Sequence, residues 1–376
     1  MLVSADRVVT PEQVLTPGWL RIDGDRVAEV GGGAPPGPPD VALTGATVVP
    51  GFVDVHNHGG GGASFDGGTT DDAATAVRAH LRHGTTTMLA SLVSADQETL
   101  VSSVERLADV ADDGLLAGIH LEGPWLSASH AGAHDPALLA DATPAAVDAL
   151  VTAGRGHVRM VTLAPERPGG LDAVRRLAAA GVAAAIGHTD ATYDQARAAL
   201  DAGATLGTHL FNAMRGLHHR EPGPVAALLE HPDAFVELVA DGVHVHPAAL
   251  RLAADAKPHR VVLVTDAMAA AAAADGSYRL GRLVVEVIDG VARLAGSGAI
   301  AGSTLTMAAA VRHAVREVGL PLEDAVHAAT AAPAAMLGLD RVGALLPGHR
   351  ADLVVLDDDL EVTRVLHRGR WVDDPH

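Results

Sequence analysis

The stretch GFVDVHNHGGGG, residues 51–62, ends an apolar run in two histidines one residue apart and then dissolves into glycine. Val53 and Val55 alternate as a strand does, and side chains two apart on a strand point the same way. Continued past Val55, that alternation gives His56 and His58 one common side, as a divalent cation requires. Alone, the pair is better read as a surface loop, because 21 histidines are spread along the chain. The sequence downstream decides between the two readings.

The run holding this stretch, TVVPGFVDV (47–55), is the first of eight apolar, β-rich runs. The others are TTTMLASLV (85–93), LLAGIHL (115–121), HVRMVTLA (157–164), VAAAIG (182–187), ATLGT (204–208), AFVELVA (234–240) and RVVLVT (260–265). Ala-rich helical segments such as LDAVRRLAAAG and YDQARAALDAG lie between many of them. Eight strands alternating with helices predict an α/β fold, a (β/α)8 barrel of the TIM type. An open doubly wound sheet shares the alternation. A barrel further predicts polar chemistry at the C-terminal ends of its strands.

That pattern is present. The first run ends in His56 and His58, the third in Glu122, the fifth in His188, the sixth in His209 and the eighth in Asp266. Taken singly, each has an ordinary reading: a solvated histidine, or an aspartate capping the next helix. Five strand ends carrying metal-ligand residue types on one side of the fold argue for a shared site.

Residues 1–49 read as short strands and turns (MLVSADRVVT, GWLRIDG, RVAEVGG, VALTGATVVP) around a Gly/Pro loop, GGGAPPGPPD. ADLVVLDDD and VTRVLHRGRWV near the C-terminus are strand-like again. The expected division is a small β-sandwich domain from residues 1–49 and 345–376, with a barrel over 50–344.

Composition excludes several functions. Hydrophobic residues make up 48% of the chain, enough for a buried core, yet no run approaches a membrane span. Net charge is −19, which opposes nucleic acid and anionic membranes alike. An anionic substrate would need a local cluster of cations. No cysteine is present, so disulfide and thiolate chemistry are absent, and a cytoplasmic location is expected. Aromatic residues are 2%, so recognition should be polar rather than by stacking.

The strand-end residues sit in motifs that resemble a known family. HxH, GIHLEGPW (118–125), AGAHDP (131–136), IGHTDA (186–191), THLFNAM (208–214), REPG (220–223), DGVHVHP (241–247), VTDAM (264–268) and GSTLTMAAAV (302–311) are similar to the N-acetylglucosamine-6-phosphate deacetylases of the amidohydrolase superfamily. The resemblance extends through ATAAPAAMLGL (329–339) to GHRADLVVLD (348–357) and so covers essentially the whole chain. It implies a barrel with a β-sandwich from both termini, a homodimer, and a phosphorylated amino sugar as substrate in amino-sugar metabolism.

Many members of the superfamily bridge two metals with a carboxylated lysine. The only lysine here is Lys257, off the strands, which disfavours that arrangement. The resemblance gives the bridging role to Glu122 and makes His188 and His209 its fellow ligands. His56 and His58 add a second metal position. Imidazole and carboxylate donors suit zinc, iron, manganese or cobalt, so one or two divalent metals are expected without a choice among them. The resemblance makes Asp266 the general acid–base and His134 a catalytic and substrate-binding histidine. Asn212, Ala213 (through its backbone), Arg220 and His244 are the remaining substrate contacts, Arg220 and His244 at the phosphate end. Without the family, Arg220 is read about equally as a solvated loop arginine. The family often has a lysine just before GAH that is missing here. AAAAAADG after TDAM lacks a glycine before its DG, and His218 and His219 flank Arg220. The runner-up reading is another amidohydrolase, either a deaminase or a deacetylase of unphosphorylated amino sugars. A catalytically retired metal-binding or sugar-sensing barrel is the non-enzyme reading.

Overall fold

A computed structural model describes residues 1–372; residues 373–376, the end of the expected terminal β segment, lie outside the described residues. Each of the eight predicted runs coincides with a barrel strand, the third strand running one residue beyond its run: β1 (Phe52–Asp54), β2 (Thr85–Leu92), β3 (Gly118–Glu122), β4 (Val158–Leu163), β5 (Ala183–Ile186), β6 (Ala204–Gly207), β7 (Phe235–Val239) and β8 (Val261–Val264). They pair in parallel and in sequence order from β1 to β8. Sequential order rules out the doubly wound alternative, whose strand order reverses at a switch point. Most of their residues are buried, as expected for parallel strands covered on both faces. Helices start where a polar cap precedes an apolar face, as at Thr69 and Thr192, each of which completes a capping box.

β1 and β8 meet at the seam, joined by buried polar contacts rather than a ladder of their own. Asp54 Oδ2 accepts from the Thr265 hydroxyl at 2.6 Å and from Asn57 Nδ2 at 2.9 Å. Beyond the strands, Asn57 pairs with Ala267, and the Asp266 amide donates to the His56 carbonyl at 2.9 Å. The seam therefore sets the HxH segment beside Asp266. Asp54→Ala would leave several buried donors unmet, a loss of about 2–3 kcal/mol. We expect metal-free protein carrying it to melt several degrees lower; an unchanged Tm would contradict this role for the seam.

The run 47–55 is not one strand. Residues 47–50 end a strand (Val41–Pro50) of the terminal sheet, and the chain turns at Gly51 before β1 begins. A Cβ at Gly51 would lie 2.2 Å from Thr86 Oγ1, so only glycine fits there. The strand also stops at Asp54, before the histidines. The glycines of the opening stretch form a tight hairpin, Gly59–Gly60 against Ala63–Ser64. Gly61 there has φ +60°, and a Cβ would sit 2.9 Å from that of Ala79.

Both termini build one continuous eight-stranded sheet, in which Val41–Pro50 lies between Leu2–Val9 and Leu353–Leu356. Its core is a separate apolar cluster containing Val3, Leu20, Val48, Leu353 and Leu366. A three-stranded antiparallel sheet (Gly276–Leu280, Leu283–Ile288, Val291–Leu294) follows β8, an element not anticipated from the sequence. It carries its own small core, including Leu280, Val285 and Ala301, and leads into the loop over the barrel mouth.

Candidate active site

The strand-end residues converge at the C-terminal mouth of the barrel. Glu122 is the last residue of β3. His56, His188, His209 and Asp266 each lie two residues past the ends of β1, β5, β6 and β8. His188, His209 and Asp266 take left-handed φ values of +47°, +28° and +48°. That conformation is uncommon without glycine, and where it persists the surrounding structure holds it, often at functional sites.

Glu122 is the hub. Its Oε1 lies 3.0 Å from Nε2 of both His188 and His209, which are 3.1 Å from each other. The other oxygen, Oε2, lies 3.3 Å from His58 Nε2 and 3.2 Å from His134 Nε2. His56 Nε2 is 3.2 Å from His58 Nε2, and both are 3.5 Å from Asp266 Oδ1. All of these side chains are nearly or wholly buried.

Hydrogen bonds on the far side of three of the rings separate ligands from donors. His188 Nδ1 must donate to the His130 carbonyl, at 2.8 Å, and His56 Nδ1 faces the Glu237 carboxylate at 3.1 Å. In their neutral forms both rings therefore turn an Nε2 lone pair into the site. His134 is the reverse. Its Nδ1 accepts from the Ser94 amide at 3.2 Å, and burial holds its pKa down to about 4. The neutral ring therefore carries its proton on Nε2, directed at Glu122 Oε2 3.2 Å away.

Lone pairs of several imidazoles thus converge on two carboxylates, which repels unless positive charge lies between them. Without a cation that charge must be protons. Burial opposes charging His56 and His58, yet the carboxylates outweigh it, raising His58 to about 9 and His56 well above its usual value. Ligand atoms about 2.1 Å from a tetrahedral ion lie about 3.4 Å apart, close to the separations seen here. His56, His58 and Asp266 could hold one ion, and Glu122, His188 and His209 another, with Glu122 between the two. The donor set thus fits divalent metal.

A cavity of about 330 Å³ opens above this cluster, a size suited to a small ligand. Asn212, Ala213, His134 and His244 line it, together with Ser129, His130, Leu280 and Ile300. His244 Nδ1 is 2.6 Å from Asp241 Oδ2, and its Nε2 is 3.9 Å from Asp266 Oδ2. Arg220 is not among the lining residues: it is exposed and lies 2.7 Å from His219 Nε2. Lys257 is remote as well, at the opposite end of β8, where it donates to the His231 carbonyl.

The amidohydrolase family model matches residues 47–372. An N-acetylgalactosamine-6-phosphate deacetylase of Escherichia coli O157:H7 is 39% identical, over 98% of each chain. An N-acetylglucosamine-6-phosphate deacetylase of Vibrio furnissii is 36% identical, over 98% of this chain and 91% of that one. This chain belongs to the N-acetylglucosamine-6-phosphate deacetylase family of amidohydrolases. A solved member of that family is 54% identical, with TM-score 0.97 over 99% of this chain and 98% of that one. It is an aspartate-to-alanine mutant of the Mycobacterium smegmatis deacetylase in complex with N-acetyl-D-glucosamine-6-phosphate.

Like the rest of its family, the chain is a metal-dependent hydrolase. Three buried polar residues that brace the cluster were not singled out from the sequence. Asp54 ties the seam. Glu237 braces His56. His120 packs its ring 4.5 Å from that of His56, between Ser91 and Thr162. The available signal was polarity inside apolar strands, as in AFVELVA and GIHLE.

Proposed function

We propose that this chain hydrolyses N-acetyl-D-glucosamine 6-phosphate to D-glucosamine 6-phosphate and acetate. The observation that carries the reading is the Glu122-centred cluster, with a second carboxylate, Asp266, and an N–H donor, His134, facing one cavity. Glu122, His188 and His209 would hold the primary metal, with His56 and His58 giving capacity for a second. When bound, the metal polarises a carbonyl and acidifies water.

The chain's own residues do the rest. Asp266 takes the proton of the attacking water at its carboxylate. His134 Nε2–H orients the acetamido carbonyl and meets the negative charge that grows on its oxygen. Asp266 then gives its proton to the departing amine nitrogen as the C–N bond breaks. Asn212 and the Ala213 backbone would position the sugar.

The phosphate end favours an assembly. No arginine or lysine is among the residues lining the cavity in the described part of the chain. His244, whose pKa is raised despite burial by its Asp241 partner, supplies one cation from within. The reading takes the other from Arg220 of a second copy, in a cytoplasmic homodimer. No helix among the described residues is long and apolar enough to cross a membrane. The division into a β domain (1–49 and 345–376) and a barrel (50–344) belongs to the same proposal; the separate apolar core of the terminal sheet supports it.

Arg220→Ala should lower kcat/KM for the phosphorylated sugar about 10- to 100-fold, the scale of a charge-assisted contact. Turnover of unphosphorylated N-acetylglucosamine should barely change at the same ionic strength. Equal losses on both substrates would mean that Arg220 supports structure instead. The Escherichia coli relative's name favours a second reading, the 4-epimer N-acetylgalactosamine 6-phosphate. Comparing kcat/KM for the two epimers tests the choice: a ratio favouring the galacto sugar would replace the first reading with the second.

A further inference from the structure

Glu237 lies in the middle of β7, within FVELV, and is fully buried. A carboxylate removed from water is unfavourable unless its charge is met. Among the described residues no lysine or arginine meets it; the one ion-pair partner in reach is His56. Oε2 accepts twice, from His56 Nδ1 at 3.1 Å and from the His209 backbone amide at 3.1 Å, while Oε1 has no partner. One buried oxygen therefore braces a residue from each half of the histidine cluster.

The two histidines of the HxH pair are unequal in this respect. His58 Nδ1 has no partner. His56 is held from two sides, by Glu237 at Nδ1 and by the edge-on ring of His120. His120 is fixed in turn, 2.9 Å from Ser91 Oγ and 2.8 Å from Thr162 Oγ1. A ring whose Nδ1–H must donate to a carboxylate has only its Nε2 lone pair to give to a metal, and such outer partners set a ligand's orientation and basicity.

We infer that Glu237 is a positioning residue that fixes the tautomer and pitch of His56, and thereby controls binding of a second divalent ion. The inference rests on the two-metal reading above. Metal-free wild type and Glu237→Gln, titrated with Co²⁺ and followed by absorbance and elemental analysis, test it. The glutamine keeps the size and a carbonyl acceptor for both the His209 amide and His56 Nδ1–H, but loses the charge that makes the His56 ring a more basic and firmly oriented ligand.

The first ion should bind with affinity within about threefold of wild type, and the second about 10- to 100-fold more weakly. In a His56→Ala background the Glu237→Gln change should have no further effect on metal binding. Glu237→Asp, which keeps the charge but withdraws it by one methylene, should weaken the second ion by a smaller factor. This variant carries the test if the glutamine variant fails to fold. Equal weakening of both ions, no weakening, or an effect that persists without His56 would overturn the inference alone. A wild type that saturates at one ion would overturn the two-metal reading and the inference with it.

Discussion

Glu122→Ala is expected to abolish metal binding and catalysis together. The Glu122 carboxylate lies within 3.3 Å of His58, His134, His188 and His209, more of the cluster's ring nitrogens than any other side chain meets among the described residues. Its pKa is held well below the usual range: burial opposes this, and His56, His188 and His134 outweigh it. Truncation removes the one carboxylate, among the described residues, that reaches histidine ring nitrogens of both metal positions, and leaves several imidazoles without a counter-charge. Activity should fall by about 10³-fold or more, the several kcal/mol that a catalytic metal contributes. Elemental analysis of the purified, folded variant should show less than one ion per chain. His58→Ala, by contrast, should keep the primary ion at His188 and His209. Full metal content in the Glu122 variant would contradict the assignment.

Asp266→Asn should lower kcat by about 10²-fold or more with metal retained, the scale of lost general acid–base catalysis. The Asp266 pKa is lowered against burial by His56 and His58, so the carboxylate is ionised and able to accept a proton. Asparagine keeps the shape and the backbone contacts across the seam but cannot carry that proton. If kcat stays near wild type while metal content is full, another residue moves the proton. If metal is lost along with activity, Asp266 is chiefly a ligand.

Much of this was legible because the barrel imposes order. Parallel strands buried on both faces are predominantly apolar, so all eight stood out as runs. The barrel puts its chemistry at one end of each strand, so Glu122, His188, His209 and Asp266 could be read as a group before any contact was known. What was not legible depended on three-dimensional closure. The run 47–55 hid a boundary at Gly51 because two adjoining strands from different sheets are both apolar. Asp54 and Glu237 looked incidental, since their partners, Thr265 and His56, are distant in sequence. The three-stranded insert after β8 is short and half exposed, which left little periodic signal. Arg220 fitted the family pattern, yet the cavity walls of a single chain do not include it.

The central claim, a metal-dependent removal of acetate from a phosphorylated amino sugar, is tested most directly by acetate release. Purified protein would be incubated with N-acetylglucosamine 6-phosphate, with and without prior chelation, and the chelated sample then resupplied with a divalent ion. The account predicts one acetate and one free amine per turnover, near-complete loss after chelation, and recovery when metal returns. Undiminished acetate release from fully metal-free protein, or full metal content with no release from any N-acetyl hexosamine phosphate, would contradict it.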